Sequence, residues 1–195
     1  MCMALRQDWK IVMVNKERLD KLAWLQMALD TLNEKGIEAV KVGILARKLG
    51  ITRGSFYWHF KNRRQFLNEV ADFWRDTYAV VGLIYATELK GSARNRYWEL
   101  NKYLLSELPH RYDTAIRIWA LHDTYADKVV KAVDKMRLAH ASETFREMGF
   151  GNKEAATRAE LFYFSLIGHL VARPRETVRQ RNNQAKHRFD IMTTK

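Results

Sequence analysis

The sequence predicts an all-α protein, and three observations carry that expectation. Apolar residues recur three and four apart along nearly every segment, which is the spacing of a helix face. No stretch alternates apolar and polar residues convincingly enough for a half-buried strand. The 195 residues include only two prolines and nine glycines, too few to punctuate a turn-rich β fold.

The elements follow in order. Leu19, Leu22, Leu25, Leu29 and Leu32 form one apolar stripe, with Asn15 placed to cap its start and Gly36 to stop it. A short second helix covers about Gly43 to Leu49 and ends at Gly50. Thr52 offers a capping oxygen to a third, Arg53 to about Phe60. Asn62 caps a fourth, which carries Phe66, Val70, Phe73 and Trp74 on one face. Ser92 opens a helix that Pro109 closes, Asp113 to Ala120 is short, and Asp123 starts a long helix to Met148 that Gly149 and Gly151 stop. Asn152 caps the next, Pro174 ends it, and a polar last helix covers Glu176 to Phe189. The domains expected are a tail (1–15), a helix-turn-helix module of three helices (16–64) and a helical body (65–195).

Composition narrows the functional classes. Apolar residues make up 47% and charged residues 29%, as in a soluble globular protein. No apolar run approaches the length of a membrane span, and the first residues do not read as a secretory signal. Cys2 is the single cysteine, so no disulfide framework or cysteine-based zinc site forms, and a reducing, cytoplasmic setting is expected. None of the six histidines forms an H-x-x-x-H pair, and no G-x-S-x-G, G-x-G-x-x-G or phosphate-loop pattern is present. The expectation is therefore no enzyme, no metal and no cofactor. The adjacent His122 and Asp123 invite a catalytic reading, but Asp123 serves better as the cap of the long helix.

Charge is the stronger signal. The net charge is +12 and concentrates at the two ends: residues 1–75 carry 14 Lys/Arg against 8 Asp/Glu, and residues 173–195 carry 7 against 2. Between Ala39 and Asn68 no acidic residue occurs, against seven basic ones: Lys41, Arg47, Lys48, Arg53, Lys61, Arg63 and Arg64. A one-signed segment suits a polyanion, because each cation near a phosphate releases a counterion.

Within that segment, two short helices flank Gly50-Ile51-Thr52, a tight turn with glycine where a left-handed backbone is easiest. Leu45, Ala46, Leu49, Ile51, Phe56 and Phe60 are spaced to form one small core, with Ala46 small where the helices cross. This is a helix-turn-helix pattern, whose second helix enters the DNA major groove. Phe56 and Phe60 face inward, which leaves Arg53, Ser55, Tyr57, Trp58 and His59 for the other faces. Gly54 permits close approach, and the free N–H groups of the helix start favour a phosphate. Arg53 and Ser55 suit base edges and Trp58 a sugar or thymine methyl, whereas Tyr57, His59 and Lys61 suit phosphates.

The run from Leu45 to Asn62, L-A-R-K-L-G-I-T-R-G-S-F-Y-W-H-F-K-N, resembles the TetR family of bacterial transcriptional repressors. The likeness is strong over Gly36 to Arg63 with the preceding Leu19–Leu32 helix. It is weaker through I-W-A-L-H-D (Ile118 to Asp123), the Met136-Arg137 region and the helix from Asn152. The resemblance implies a homodimer on a palindromic double-stranded operator and a C-terminal helical ligand-binding and dimerisation domain, with a small-molecule effector releasing the DNA. DNA contacts carried over are Lys41, Thr52, Arg53, Gly54, Ser55, Tyr57, Trp58, His59 and Lys61. Two positions depart from the family pattern: Lys41 stands where a capping Thr or Ser is frequent, and Gly43 where a polar residue approaches bases. Specificity then rests more on the third helix.

The likeness also implies an effector pocket, for which Trp98, Trp119, His122, Tyr125, Met136, Tyr163 and His169 supply rings, a flexible Met and polar atoms. The same residues also suit plain core. For the dimer, the helix from Asn152 places Ala156, Ala159, Glu160, Tyr163, Leu166, Ile167 and Leu170 along one side, with Gly168 allowing close approach. Two other readings stay open: an architectural DNA-binding protein without an effector, and a helical enzyme using His122 or His169.

Overall fold

The computed structural model describes residues 16–105, 110–172 and 175–194. The tail, Asn15, Pro109 and Pro174 lie outside them. All regular elements among the described residues are helical. They form two compact units, one ending at Phe73 and the other beginning at Trp74, against a boundary at 64/65 expected from the sequence.

The first unit contains α1 (Lys16–Lys35), a 3₁₀ turn (Ile37–Ala39), α2 (Val42–Leu49), α3 (Arg53–His59) and most of α4 (Arg63–Trp74). Its core is a ring cluster. Trp24 meets Phe56 edge-on with centroids 5.4 Å apart, and Phe66 packs 4.7 Å from Phe60 and 5.2 Å from Phe56. Leu25, Leu29, Leu32, Leu45 and Ala46 complete it. Gly50 adopts φ 69°, a conformation that costs any side chain, and Ile51 N–H then donates to Ala46 O across the end of α2. That turn also corrects one expectation. Ile51 sits beyond the left-handed residue, 37% exposed, and is no core member. Thr52 stands at the N-cap of α3 with extended backbone, but its side chain accepts no capping bond. Asn62 does cap α4, accepting from Gln65 N–H at 2.9 Å.

The second unit comprises a π turn (Arg75–Ala79), α5 (Val81–Glu88), α6 (Ala93–Leu104), α7 (Asp113–Ala120), α8 (Thr124–Glu147), α9 (Asn152–Ala172) and α10 (Val178–Thr193). Ser92 and Asp123 cap α6 and α8 as their positions suggest. α10 begins later than Glu176, because Thr177 and Gln180 form a reciprocal capping box. α8 and α9 pack along each other most extensively, and Tyr97, Phe145, Phe150, Phe162 and Phe189 fill the core beside them.

A buried polar hub fixes one side of this unit. The carboxylate of Asp113, 1% exposed, accepts from Trp74 Nε1 at 3.2 Å and from Arg137 Nη1 at 2.7 Å. Arg137 donates with Nε and Nη2 to the Ala79 carbonyl, satisfying the π turn. Burial alone would raise the Asp113 pKa, but the charges and hydrogen bonds of Arg137 and His110 hold it well below the usual carboxylate range. A second network joins Arg117, Asp134 and Tyr163, in which Tyr163 Oη donates to Asp134 at 2.6 Å. Burial first, and then that hydrogen bond, push the Tyr163 hydroxyl up to about 12.

Candidate nucleic-acid interface

α3 resolves which rings are inside. Phe56 and Phe60 are each 1% exposed, whereas Tyr57 is 68% and Trp58 89% exposed. A tryptophan left that open forfeits the burial its large ring ordinarily gains, so its position demands a partner outside the unit or a purely solvated role. Ser55 and His59 are half-buried at the flanks of this face, and Arg53, Gly54 and Lys61 are exposed.

The second helix of the pair contributes through what it lacks. Arg53 extends back to α2 and lays its guanidinium against Gly43. Lys41 occupies the N-cap of α2, exposed and without a side-chain capping bond. Arg47 and Arg64 are exposed. Lys48 points elsewhere, donating to Thr31 Oγ1 and Glu34 Oε2, each at 3.1 Å, and so serves α1 packing. Arg63 reaches the Val40 carbonyl at 3.5 Å. The open cations of this segment are thus fewer than its charge count implies.

The seven residues read as a pocket do not converge. Only Tyr163 lines the apolar cavity of the second unit, which is bounded by Gly82, Leu83, Leu100, Leu104, Phe162 and Leu166. His169 lines a smaller cleft and lies 3.1 Å from Glu176. Trp98 packs on Phe189 with centroids 5.1 Å apart, Trp119 is buried, Tyr125 is half-buried, and Met136 is 36% exposed. His122 is exposed, which removes the buried ligand contact expected of it. Of the polar residues that do line the cavity, Arg137 lay in a region of weak family likeness, and Tyr97 and His110 carried no sequence signal beyond the His110-x-x-Asp113 spacing.

The side of α9 expected to dimerise is divided. Ala159, Tyr163 and Leu166 are buried within the unit, Ile167 and Leu170 are half-buried, and Ala156 and Glu160 are exposed. The open stripe is Leu161, Phe164, Gly168 and Val171, with the three larger residues each 58% exposed. Among the described residues no group of three or more His, Cys, Asp or Glu is placed to hold a metal, and no helix is long and apolar enough to cross a membrane.

This geometry is that of a helix-turn-helix: two short helices on a ring core, in a chain that continues into a larger helical unit. Residues 25–70 match the family described as bacterial regulatory proteins, tetR family. The tetracycline repressor protein class D of Escherichia coli is 43% identical over 54 residues, 28% of this chain and 25% of the repressor. The HTH-type transcriptional regulator AcrR of Shigella flexneri is 28% identical over 67 residues, 34% of this chain and 31% of that protein. The matches therefore span about a quarter to a third of the length of these curated relatives. Over the whole fold, a transcriptional regulator from Rhodococcus sp. superposes with a TM-score of 0.70 at 18% identity, covering 89% of this chain and 93% of that one. A proposed transcriptional regulator of Pseudomonas aeruginosa PAO1 gives 0.75 at 15% identity over 96% of both chains. At these identities the likeness shows a shared fold.

Proposed function

We propose that the chain is a homodimeric, DNA-binding transcriptional repressor, released from a palindromic operator by a small molecule held in its helical second unit. The observation that carries the DNA reading is α3 itself. It buries Phe56 and Phe60 and leaves Tyr57, Trp58 and Lys61 open on the far side. In this reading Arg53, Gly54 and Ser55 meet base edges, Trp58 packs on a sugar or thymine methyl, and Lys41, Thr52, Tyr57, His59 and Lys61 position the backbone.

The dimer is assigned to the Leu161–Phe164–Gly168–Val171 stripe of α9, a run at helical spacing that nothing in the second unit covers among the described residues. A Cβ at Gly168 would meet nothing within 4 Å, which leaves that point open to a close helix from a second copy. The effector is assigned to the apolar cavity rather than to the seven residues read from sequence. A ligand there releases DNA only by binding one state of the dimer better than the other.

Selection of bound sequences from a random DNA pool, near physiological salt, tests the reading. An inverted repeat with half-sites about one to one and a half helical turns apart supports it. Recovery of nothing above background refutes it.

A further inference from the structure

Of the buried polar atoms in the second unit that have no hydrogen-bond partner among the described residues, two belong to side chains that line the same cavity. They are the phenolic oxygen of Tyr97 and Nε2 of His110, on side chains 3% and 7% exposed. The cavity measures about 50 Å³, and most of its remaining wall is aliphatic or aromatic carbon. A buried polar atom left unpaired is costly, so an occupant that bonds to it gains more than a purely apolar one.

The chemistry of each atom can be read from its surroundings. His110 Nδ1 lies 3.3 Å from Asp113 Oδ2. Asp113 is held ionised by its partners and accepts only, so the imidazole proton sits on Nδ1. Nε2 is the ring nitrogen left without a partner, and a hydroxyl, which both donates and accepts, suits it. Burial keeps the Tyr97 hydroxyl protonated and able to donate. The remaining charges are already matched. Arg137 is taken by Asp113 and the Ala79 carbonyl, and burial lowers the pKa of His140, keeping that ring neutral. An ionic ligand would gain no free counter-charge here.

We propose that this cavity binds a small, uncharged, mainly apolar alcohol, whose hydroxyl hydrogen-bonds to both His110 Nε2 and Tyr97 Oη. The ligand class rests on the reading that the helical unit holds an effector. One water needs on the order of 10–15 Å³ of such space, which limits the occupant to about three to five non-hydrogen atoms.

The test is calorimetric titration of the full chain with three probes that share a branched skeleton of about four non-hydrogen atoms: propan-2-ol, 2-chloropropane and acetate. Propan-2-ol is expected to bind about tenfold tighter than 2-chloropropane, with acetate weakest. Tyr97→Phe removes only the unpaired hydroxyl and keeps the ring. It should cut the preference for propan-2-ol over 2-chloropropane about fivefold while 2-chloropropane binds as well or better. Equal affinity for propan-2-ol and 2-chloropropane, a preference unchanged in Tyr97→Phe, acetate as the tightest probe, or no binding of any probe at millimolar concentration each overturn the proposal. DNA release is read separately on the selected operator. Propan-2-ol that binds with the expected Tyr97 dependence and leaves DNA affinity unchanged upholds the ligand class while removing the effector role. Release by a solute whose action is indifferent to Tyr97→Phe overturns the ligand class and leaves the effector role standing.

Discussion

The guanidinium of Arg53 occupies the space that a side chain at Gly43 would need. A Cβ built on residue 43 comes within 2.9 Å of Arg53 Nη2 and 3.1 Å of its Cζ and Nε. The glycine on α2 and the arginine on α3 therefore act as one unit. What reads in sequence as the loss of a base-contacting residue on α2 is, in the fold, the room that lets α3 present its arginine from this position.

Gly43→Ala follows directly. The far end of a flexible arginine is easily displaced, and alanine is the better helix former by about 0.8–1 kcal/mol, so thermal stability should hold or rise. Operator affinity should fall, by part of the ~1–3 kcal/mol expected for Arg53→Ala. A melting curve and a binding isotherm on the same sample check both signs.

Lys61→Ala should behave differently from Arg53→Ala. A phosphate contact carries no sequence information, so affinity for operator and random DNA should fall together, and the salt slope should drop by about one unit. Titrations at several salt concentrations measure it.

Asp113 links stability to pH. Its pKa is lowered in the folded state, so its contribution is present above its unfolded value of ~4 and is lost as pH falls toward the folded pKa. Acid unfolding of the second unit should therefore begin below about pH 4 from this group, and Asp113→Asn should flatten that limb. Asp113→Ala leaves Arg137 buried beside the Ala79 carbonyl without its carboxylate, and should cost ~3–5 kcal/mol. Urea unfolding at pH 3 and pH 7 distinguishes the two effects.

Gly168→Leu adds a side chain where none of the described residues stands within 4 Å of its Cβ. The isolated fold should tolerate it, with a melting temperature close to that of the parent. The dimer should weaken, and operator binding with it, because two linked half-site contacts become one. Sedimentation equilibrium reads the first effect and a DNA titration the second. A full-strength dimer would remove the α9 stripe from the interface.

How much of this was legible depended on whether a pattern or a partner carried the information. Phe56 and Phe60 inward with Tyr57 and Trp58 outward follow from helical period alone, and the structure agrees. α5 was not foreseen, because V-G-L-I-Y-A-T-E is apolar on every side and shows no face. Trp24, the tryptophan at the centre of the ring cluster, was hidden behind a leucine stripe that already accounted for α1. Periodicity located the apolar side of α9 but left open whether it packs inside its own unit or against a second copy. The cavity was least legible of all. Tyr97 and His110 are unremarkable residues until the fold buries each with one polar atom unpaired.

The central claim is that α3 reads DNA sequence through Arg53 in a two-fold dimer. Parallel selection from one random DNA pool with the parent chain and Arg53→Ala tests it most directly. The account predicts an inverted repeat for the parent, and for the variant the same half-site spacing with the preference erased at the base pair Arg53 meets in each half. No enriched sequence for the parent, or an unchanged motif for Arg53→Ala, would contradict it.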